Sequence, residues 1–266
     1  MNLYGIISWY DESPSWLASS VASLAKIGVD HVIAVDGRYP HFHSELSGPS
    51  YSPPEQSEAV MLACDSMGMG LTLSKLPQPM LEPDKRQYCF RLVEAIATPM
   101  VDWCTIIDAD ELIWEGGIDV KRELATLESP IHCAAGRIAT TIDPHGRPEP
   151  DNDVSDRTEE NFQKLPIGMS FACLQTRYWR VMHDMSVPVN HYDFFATDDQ
   201  GKRWNIRPGM GGEVIRGGRD ACEIHTIDAN QLILHRKNHR TYLRREAKKA
   251  YYTTRDELRL EKRVTT

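Results

Sequence analysis

The first half of the chain alternates short apolar runs with longer amphipathic segments. The apolar runs are rich in β-branched residues and predict buried strands over Leu3–Ser8, His31–Val35, Leu71–Leu76 and Val101–Ile107. The segments between them carry apolar residues at helical spacing and predict helices that begin near Pro14, Glu55 and Pro83. Because alternating strands and helices favour parallel pairing through right-handed crossovers, the pattern predicts an α/β fold.

Two of these helices have additional local signals. Ser13 and Pro14 are typical of an N-cap and a first helical position, and Gly28 is typical of a helix end. The predicted buried face of the first helix comprises Leu17, Val21, Leu24 and Ile27. The predicted buried face of the helix after Pro83 comprises Tyr88, Leu92, Val93 and Ile96.

The second half has long polar loops between its elements. Apolar runs predict strands over Cys133–Ile142, Phe171–Met182 and Gln231–His235, followed by a basic helix from about Asn238 to Tyr252. The loop Arg38–Pro54 is unusually long, which indicates a functional role. The glycine-rich stretch Gly209–Gly218 is a weak candidate for phosphate binding, because no clear strand precedes it.

Composition narrows the class of protein. The chain has 266 residues, of which 41% are hydrophobic and 26% charged, as in ordinary globular proteins. No apolar stretch is long enough to span a bilayer, and the first residues lack the features of a signal peptide. The six cysteines include no C-x-x-C pair, which favours buried free thiols in a reducing compartment. We therefore expect a cytoplasmic protein without membrane contact.

Charge is distributed unevenly along the chain. Residues 236–266 contain eleven basic and four acidic residues, so this segment carries +7 and the rest of the chain −15. A basic segment on an acidic body is typical of a phosphate-rich ligand, an acidic partner or contact with the protein's own acidic surface. A solvated helix face is the alternative interpretation.

An acidic triplet follows the fourth predicted strand. Asp108 and Asp110 flank Ala109 and project to the same side of the strand, because side chains in a strand alternate between faces. Two carboxylates at the carboxyl end of a parallel strand form a site that suits Mg²⁺ or Mn²⁺. The alternative is a solvated acidic turn.

Three segments together resemble family 2-like glycosyltransferases. The turn Trp9–Glu12 is similar to their Tyr-Asn-Glu turn, Gly28–Asp36 resembles their second strand, and Asp102–Glu111 resembles their D-x-D-E metal motif. The resemblance covers roughly residues 3–115 and implies a GT-A type, Rossmann-like sheet for nucleotide-diphospho-sugars. It implies a glycosyltransferase domain over 1–235, divided into a nucleotide-sugar-binding half (1–115) and an acceptor-side half (116–235). A C-terminal helical extension, the basic segment 236–266, would follow.

The resemblance also implies roles for individual residues. Nucleobase and ribose would be held by the loop after the first strand and by the end of the second: Ser8, Tyr10, Glu12 and Asp36. Tyr10 as a core residue and Asp36 as a turn cap are the alternatives. Ser8 stands where the family often has proline, and Asp36-Gly37-Arg38 replaces a commoner acidic pair, so the nucleotide stays open.

Phosphates and metal would be bound by a second group of residues. Asp108 would lie near the ribose or metal, and Asp110 would coordinate the Mn²⁺ or Mg²⁺ that bridges both phosphates. Arg86 is close enough in sequence to reach a phosphate, and Lys85 beside it shares this expectation, with a solvent-facing role as the alternative.

The C-terminal part contributes the remaining candidates. His235 is the predicted third metal ligand, with His225 and His239 as alternatives, and Arg236 and Lys237 are predicted to bind the donor phosphates. Asp143 is the candidate catalytic base for an inverting reaction, and it is followed in its loop by Asp151, Asp153 and Asp156.

The sequence therefore predicts a metal-dependent, hexosyltransferase-like enzyme that uses a nucleotide-sugar donor. Its acceptor stays open among protein, glycan and modified DNA. A nucleotidyltransferase is one alternative, although the turn Ser8–Ser13 lacks the glycine-rich phosphate loop expected of it. A non-catalytic nucleic-acid-binding protein that uses the basic C-terminal helix is the other.

Overall fold

The computed structural model describes residues 1–39, 51–140, 173–187, 194–206 and 222–235. Within these residues the chain adopts a mixed α/β fold. The helices are α1 (Pro14–Leu24), α2 (Pro54–Met67), α3 (Glu82–Glu94) and α4 (Asp119–Thr126). The strands are β1 (Leu3–Trp9), β2 (His31–Asp36), β3 (Gly70–Lys75), β4 (Trp103–Asp108), β5 (Glu111–Glu115), β6 (Ile131–Thr140), β7 (Cys173–Arg180), β8 (His183–Ser186), β9 (Phe195–Thr197), β10 (Arg203–Asn205), β11 (Glu223–Thr226) and β12 (Leu232–His235).

One large sheet organises the described residues. Its strand order is β3-β2-β1-β4-β7-β6-β12-β5, and β11 pairs with β6 off this path. The first four strands of the order are parallel, whereas β7 is antiparallel to both of its neighbours. β5 follows β4 almost directly in the chain but pairs with β12 at the far end of the order, so the sheet curls back on itself. A smaller antiparallel sheet contains β8, β9 and β10.

The core lies on both faces of the large sheet. On one face, residues of α1 and α2 such as Leu17 and Val60 pack against Ile7 of β1. On the other face, Phe90 of α3 packs with residues that include Ile6 of β1. Neighbouring residues of β1 thus belong to opposite faces, as the two-residue period of a strand requires.

The structure confirms most of the predicted elements of the first half. Strands β1 to β4 are parallel and α1 begins at Pro14. After α1, a 3-10 turn leads to Gly28, whose φ of 79° lies in the left-handed region that glycine favours. The hydroxyl of Ser13 lies 2.9 Å from that of Ser15 and does not cap the helix, so only the position of the N-cap was predicted correctly.

Other predictions were confirmed only in part. Of the predicted buried face of α3, Val93 is buried, and Tyr88 and Leu92 are partly buried against the core. The predicted Ile96 lies beyond the helix end and is 47% exposed, so this position was wrong. The fully buried residues of α3 also include Lys85, Cys89 and Phe90. β5 and α4 were not predicted, and the division at residue 115 stays a prediction.

Some predictions fall outside the described residues. These are the glycine-rich stretch Gly209–Gly218 and the basic segment 236–266 with its helix. None of the helices that the structure describes combines the length and apolar character needed to cross a membrane.

Candidate active site

The carboxyl ends of three parallel strands meet at one edge of the large sheet. In the register of the strands, Ser8 of β1 pairs with Asp108 of β4, and Trp9 of β1 pairs with Asp36 of β2. The strand order reverses between β1 and β4, because β2 and β3 extend the sheet to one side of β1 and β4 extends it to the other. Open α/β sheets bind their ligands at such a reversal. The structure thus brings the predicted Ser8, Asp36 and Asp108 to one edge.

Asp36 is engaged within the protein. Its two carboxylate oxygens accept hydrogen bonds from the backbone N–H of Ser52 at 2.8 Å and from the Ser52 hydroxyl at 2.6 Å. Burial raises the pKa of Asp36, and the two hydrogen bonds from Ser52 oppose this shift. Asp36 therefore anchors the chain at the start of α2, close to the carboxyl end of β1.

The loop after β1 is attached to the same anchor. The N–H of Asp11 donates to the Ser52 hydroxyl at 2.9 Å, and the N–H of Glu12 donates to Oε1 of Gln56 at 2.9 Å. Tyr10 in this loop is buried, and burial raises the pKa of its phenol. The contacts of Tyr10 and Glu12 with a nucleotide stay predictions, but the loop that carries them is fixed to α2.

The predicted metal motif forms a tight connection between two strands. β4 ends at Asp108 and β5 begins at Glu111, so Ala109 and Asp110 make up the turn. Ser20 of α1 donates its hydroxyl to the carbonyl oxygens of Glu111 at 2.5 Å and of Ala109 at 3.2 Å. The turn is thereby held against α1, and Asp110 within it is only 1% exposed.

Glu111 supports this turn from the interior. Arg177 of β7 donates from Nη2 to Oε1 of Glu111 at 2.7 Å and from Nη1 to Oε2 at 3.0 Å. Oε2 of Glu111 also accepts the backbone N–H of Asp108 at 2.9 Å. A buried bidentate ion pair therefore fixes the backbone at Asp108. Sequence reasoning missed Arg177, although an arginine within an apolar strand is a signal of a buried acidic partner.

Asp108 itself forms an ion pair with a predicted donor-binding residue. Nη2 of Arg86 lies 2.5 Å from Oδ1 of Asp108 and 3.9 Å from Oε1 of Glu82. Burial acts to lower the pKa of Arg86, but Asp108 and Glu82 together hold it above its usual value. The side chain of Asp108 is 42% exposed, so its carboxylate is accessible from outside despite this partner.

Lys85 does not face solvent, contrary to one of its two sequence interpretations, and its contact with a phosphate stays a prediction. Its Nζ donates to the carbonyl oxygens of Trp9 at 2.6 Å and Gly37 at 2.8 Å, and it lies 4.5 Å from the centroid of the Tyr39 ring. Lys85 is 1% exposed, and burial lowers its pKa to about 7. It ties the ends of β1 and β2 together. The Tyr39 phenol is hydrogen-bonded to Ser8, and burial raises its pKa. Tyr39 belongs to the long loop that the sequence marked as functional.

Strand register separates the two described histidine candidates. His235 pairs with Thr140 at the end of β6 and with Glu111 at the start of β5. His225 pairs with Ala134 near the beginning of β6, which places it roughly 20 Å from His235 along that strand at about 3.3 Å per residue. Nε2 of His225 also lies 2.6 Å from Oε1 of Glu123 on α4. The backbone of His235, and not that of His225, thus lies beside the Asp108–Glu111 turn.

Several candidates lie outside the described residues: Asp143, Arg236, Lys237 and His239. Among the residues that the structure does describe, no group of three or more His, Cys, Asp and Glu side chains is arranged to hold a metal. The two carboxylates of Asp108 and Asp110 nevertheless have the chemistry that Mn²⁺ and Mg²⁺ require.

Comparison with known proteins shows only slight likeness to solved structures. No family model matches the chain, and no curated protein matches it. Among solved structures, it is similar to mannosyltransferase PcManGT from Pyrobaculum calidifontis, in complex with GDP-Man and Mn²⁺, with 15% sequence identity and a TM-score of 0.36. The match covers 54% of this chain and 36% of that protein. A likeness of this size assigns neither a family nor an activity.

Proposed function

We propose that this protein is a divalent-metal-dependent glycosyltransferase that moves a sugar from a nucleotide-diphosphate donor to an acceptor. The observation that carries the proposal is the Asp108–Asp110 turn beside Ser8, at the reversal of the strand order. The buried ion pair of Glu111 with Arg177 holds that turn in place. The motifs that resemble family 2-like glycosyltransferases support the same class of enzyme.

In this proposal, Asp108 and Asp110 hold Mn²⁺ or Mg²⁺, and His235 is the third ligand. The register of β12 with β5 supports His235, because it brings the backbone of this residue to the first residue after the turn. When bound, the cation supplies Lewis-acid stabilisation of the charge that develops on the departing nucleoside diphosphate.

Arg86 changes partner in the proposed donor complex. Without a metal, its guanidinium balances the charge of Asp108 at 2.5 Å. With a divalent cation held by the carboxylates, the guanidinium of Arg86 would lose this partner and would be available for bidentate contact with a phosphate. Arg86 therefore competes with the metal alone but contributes to the complex of metal and diphosphate.

The base and ribose of the donor bind, in this proposal, to the loop that carries Tyr10 and Glu12, with Ser8 at its beginning. Asp36 shapes this part of the site through Ser52, because both of its oxygens are engaged by that residue. Asp36 is thus a positioning residue, and the hydroxyl of Ser52 transmits its effect to Asp11.

Calorimetry tests the proposal directly. Five nucleoside diphosphates (ADP, CDP, GDP, TDP and UDP) are titrated into the protein with Mn²⁺ and with EDTA. We expect one of them to bind in a Mn²⁺-dependent manner and Asp110→Asn to weaken this binding at least about tenfold, because it removes the charge and keeps the shape. Asp119→Asn, which makes the same change at a residue whose side chain is 72% exposed on α4, is the matched control.

Two results would contradict the proposal. One is diphosphate binding that is equally strong with Mn²⁺ and with EDTA. The other is equal affinity of the unmodified protein and Asp110→Asn, with both folded by circular dichroism. For the diphosphate that binds, incubation with the corresponding nucleotide sugars then tests for metal-dependent release of the diphosphate.

A further inference from the structure

Two buried cysteines meet outside the candidate active site. Cys133 belongs to β6, and Cys222 directly precedes β11, which pairs with the beginning of β6. Their sulfur atoms are 3.2 Å apart. This separation is shorter than the ~3.5–4.0 Å at which even the smaller carbon atoms make their best contact. The two sulfur atoms are therefore in direct contact.

The backbone around the pair brings the two cysteines onto neighbouring segments. Cys133 is in register with Ile224, two residues after Cys222, on the parallel strand beside β6. The backbone N–H of Cys222 is hydrogen-bonded to the carbonyl of Asn205 at 3.1 Å, which anchors this residue. The contact between the two sulfur atoms at 3.2 Å, and not direct pairing of the two residues in the strand register, places the thiols within reach of each other.

The two thiols differ in their surroundings. The two thiols share a hydrogen bond in which either sulfur can be the donor, and the Cys133 sulfur also lies 3.8 Å from the carbonyl oxygen of Glu223. The hydrogen bonds that Cys222 forms with Cys133 and with the backbone of His132 lower its pKa. The same thiol–thiol hydrogen bond, together with burial, raises the pKa of Cys133. Cys222 is also slightly exposed, whereas Cys133 is fully enclosed. Cys222 is thus the thiol that a small oxidant reaches first.

We propose that Cys133 and Cys222 form a reversible redox pair in which a small hydroperoxide oxidises Cys222 and Cys133 then closes a disulfide. In the first step, the Cys222 thiolate attacks the terminal peroxide oxygen and the O–O bond breaks. Sulfenic acid forms, and the leaving group is hydroxide from hydrogen peroxide or alkoxide from an organic hydroperoxide. In the second step, the sulfur of Cys133 attacks the sulfur of Cys222, and the sulfenic oxygen leaves as water with the thiol proton. Two electrons pass from sulfur to the peroxide, and a thiol reductant restores both cysteines.

The pair should react selectively. Burial raises the pKa of Cys64 and of Cys89 to about 11 and also raises that of Cys104, so these three thiols stay protonated near neutral pH. Because the thiolate is the reactive form, they provide internal controls within the same chain.

The experiment uses the full chain and a small molar excess of hydrogen peroxide. We expect the denatured, oxidised protein to retain four of its six thiols and peptide mapping to identify a Cys133–Cys222 disulfide, which dithiothreitol reverses. In Cys133→Ala, the sulfenic acid on Cys222 should persist and react with dimedone. Cys222→Ala should show no disulfide and no dimedone adduct at Cys133. Cys104→Ala should behave like the unmodified protein.

Retention of all six thiols in the oxidised, unmodified protein would overturn the proposal. A disulfide that involves any other cysteine would overturn it as well. Dimedone labelling of Cys133 in Cys222→Ala at the rate seen for Cys222 in Cys133→Ala would refute the assigned order of the two steps. The measurements on the unmodified protein do not depend on the folding of any variant, and none depends on glycosyltransferase activity.

Discussion

Replacing Glu111 by glutamine tests how much the buried ion pair with Arg177 contributes to the stability of the protein. Glu111 accepts two hydrogen bonds from Arg177 and one from the N–H of Asp108. Glutamine has the same shape but one acceptor oxygen, so its amide nitrogen must face a donor. Glu111→Gln therefore leaves the guanidinium of Arg177 buried without its counter-charge and weakens the support of the Asp108 backbone.

The expected loss of stability is large. Removing one partner of a buried ion pair costs about 3–5 kcal/mol, and we expect about 3 kcal/mol because glutamine retains one acceptor. A domain of ordinary stability has about 5–15 kcal/mol in total, so the variant should fold but unfold much earlier. With a urea slope of about 1–3 kcal/mol per molar, the midpoint should fall by about 1 M or more.

Urea unfolding followed by far-UV circular dichroism measures this change. The control is Arg122→Gln, which removes an ion pair with Asp119 whose two side chains are each 72% exposed, and should cost less than about 0.5 kcal/mol. The double variant Glu111→Leu/Arg177→Met should recover most of the stability, because it removes both charges. It should not recover Mn²⁺–diphosphate binding, because leucine accepts no hydrogen bond from Asp108. A loss below about 1 kcal/mol for Glu111→Gln would refute the reasoning.

Three further predictions concern the edge of the sheet. Arg86→Met should bind Mn²⁺ alone more tightly and the Mn²⁺–diphosphate complex more weakly, because it removes the guanidinium beside Asp108. Electron paramagnetic resonance measures free Mn²⁺ in both titrations. A change of both affinities in the same direction would contradict this prediction. His235→Ala should weaken binding of the metal–diphosphate complex, measured by calorimetry, by roughly 10–100-fold, and His225→Ala should leave it unchanged. A larger loss of affinity for His225→Ala would reverse the assignment of the third ligand. Burial lowers the pKa of Lys85 to about 7, so between about pH 7 and pH 9 the unfolded chain binds a proton that the folded chain has released. The unfolding free energy of the unmodified protein, relative to that of Lys85→Met, should therefore fall as pH decreases from about 9 to about 7. Parallel pH profiles in urea would contradict that expectation.

The local pattern of apolar and polar residues was sufficient to predict the strands and helices of the first half of the fold. β1 to β4 have apolar, β-branched runs that form buried strands, α1 begins at its proline, and the 3-10 turn after α1 ends at Gly28. These signals act between residues close in the chain, so they are visible without tertiary structure. The acidic turn was located for the same reason, since Asp108 directly follows an apolar strand.

Only the tertiary structure determined what surrounds that turn. The sequence contains Glu111 and Arg177, but their contact joins residues 66 positions apart and depends on how the sheet places β7 beside β4. The sequence predicted that Lys85 reaches a phosphate or faces solvent, whereas the structure buries it. Two backbone carbonyls at the ends of β1 and β2 make this burial tolerable. Likewise, the contact between Cys133 and Cys222 depends on the pairing of β11 with β6. The local periodicity of apolar residues determines which segments become strands and which faces they bury. Pairing between strands that are distant in the sequence determines which polar side chains meet, because a charged side chain is buried, and so requires a partner, only after the sheet has formed.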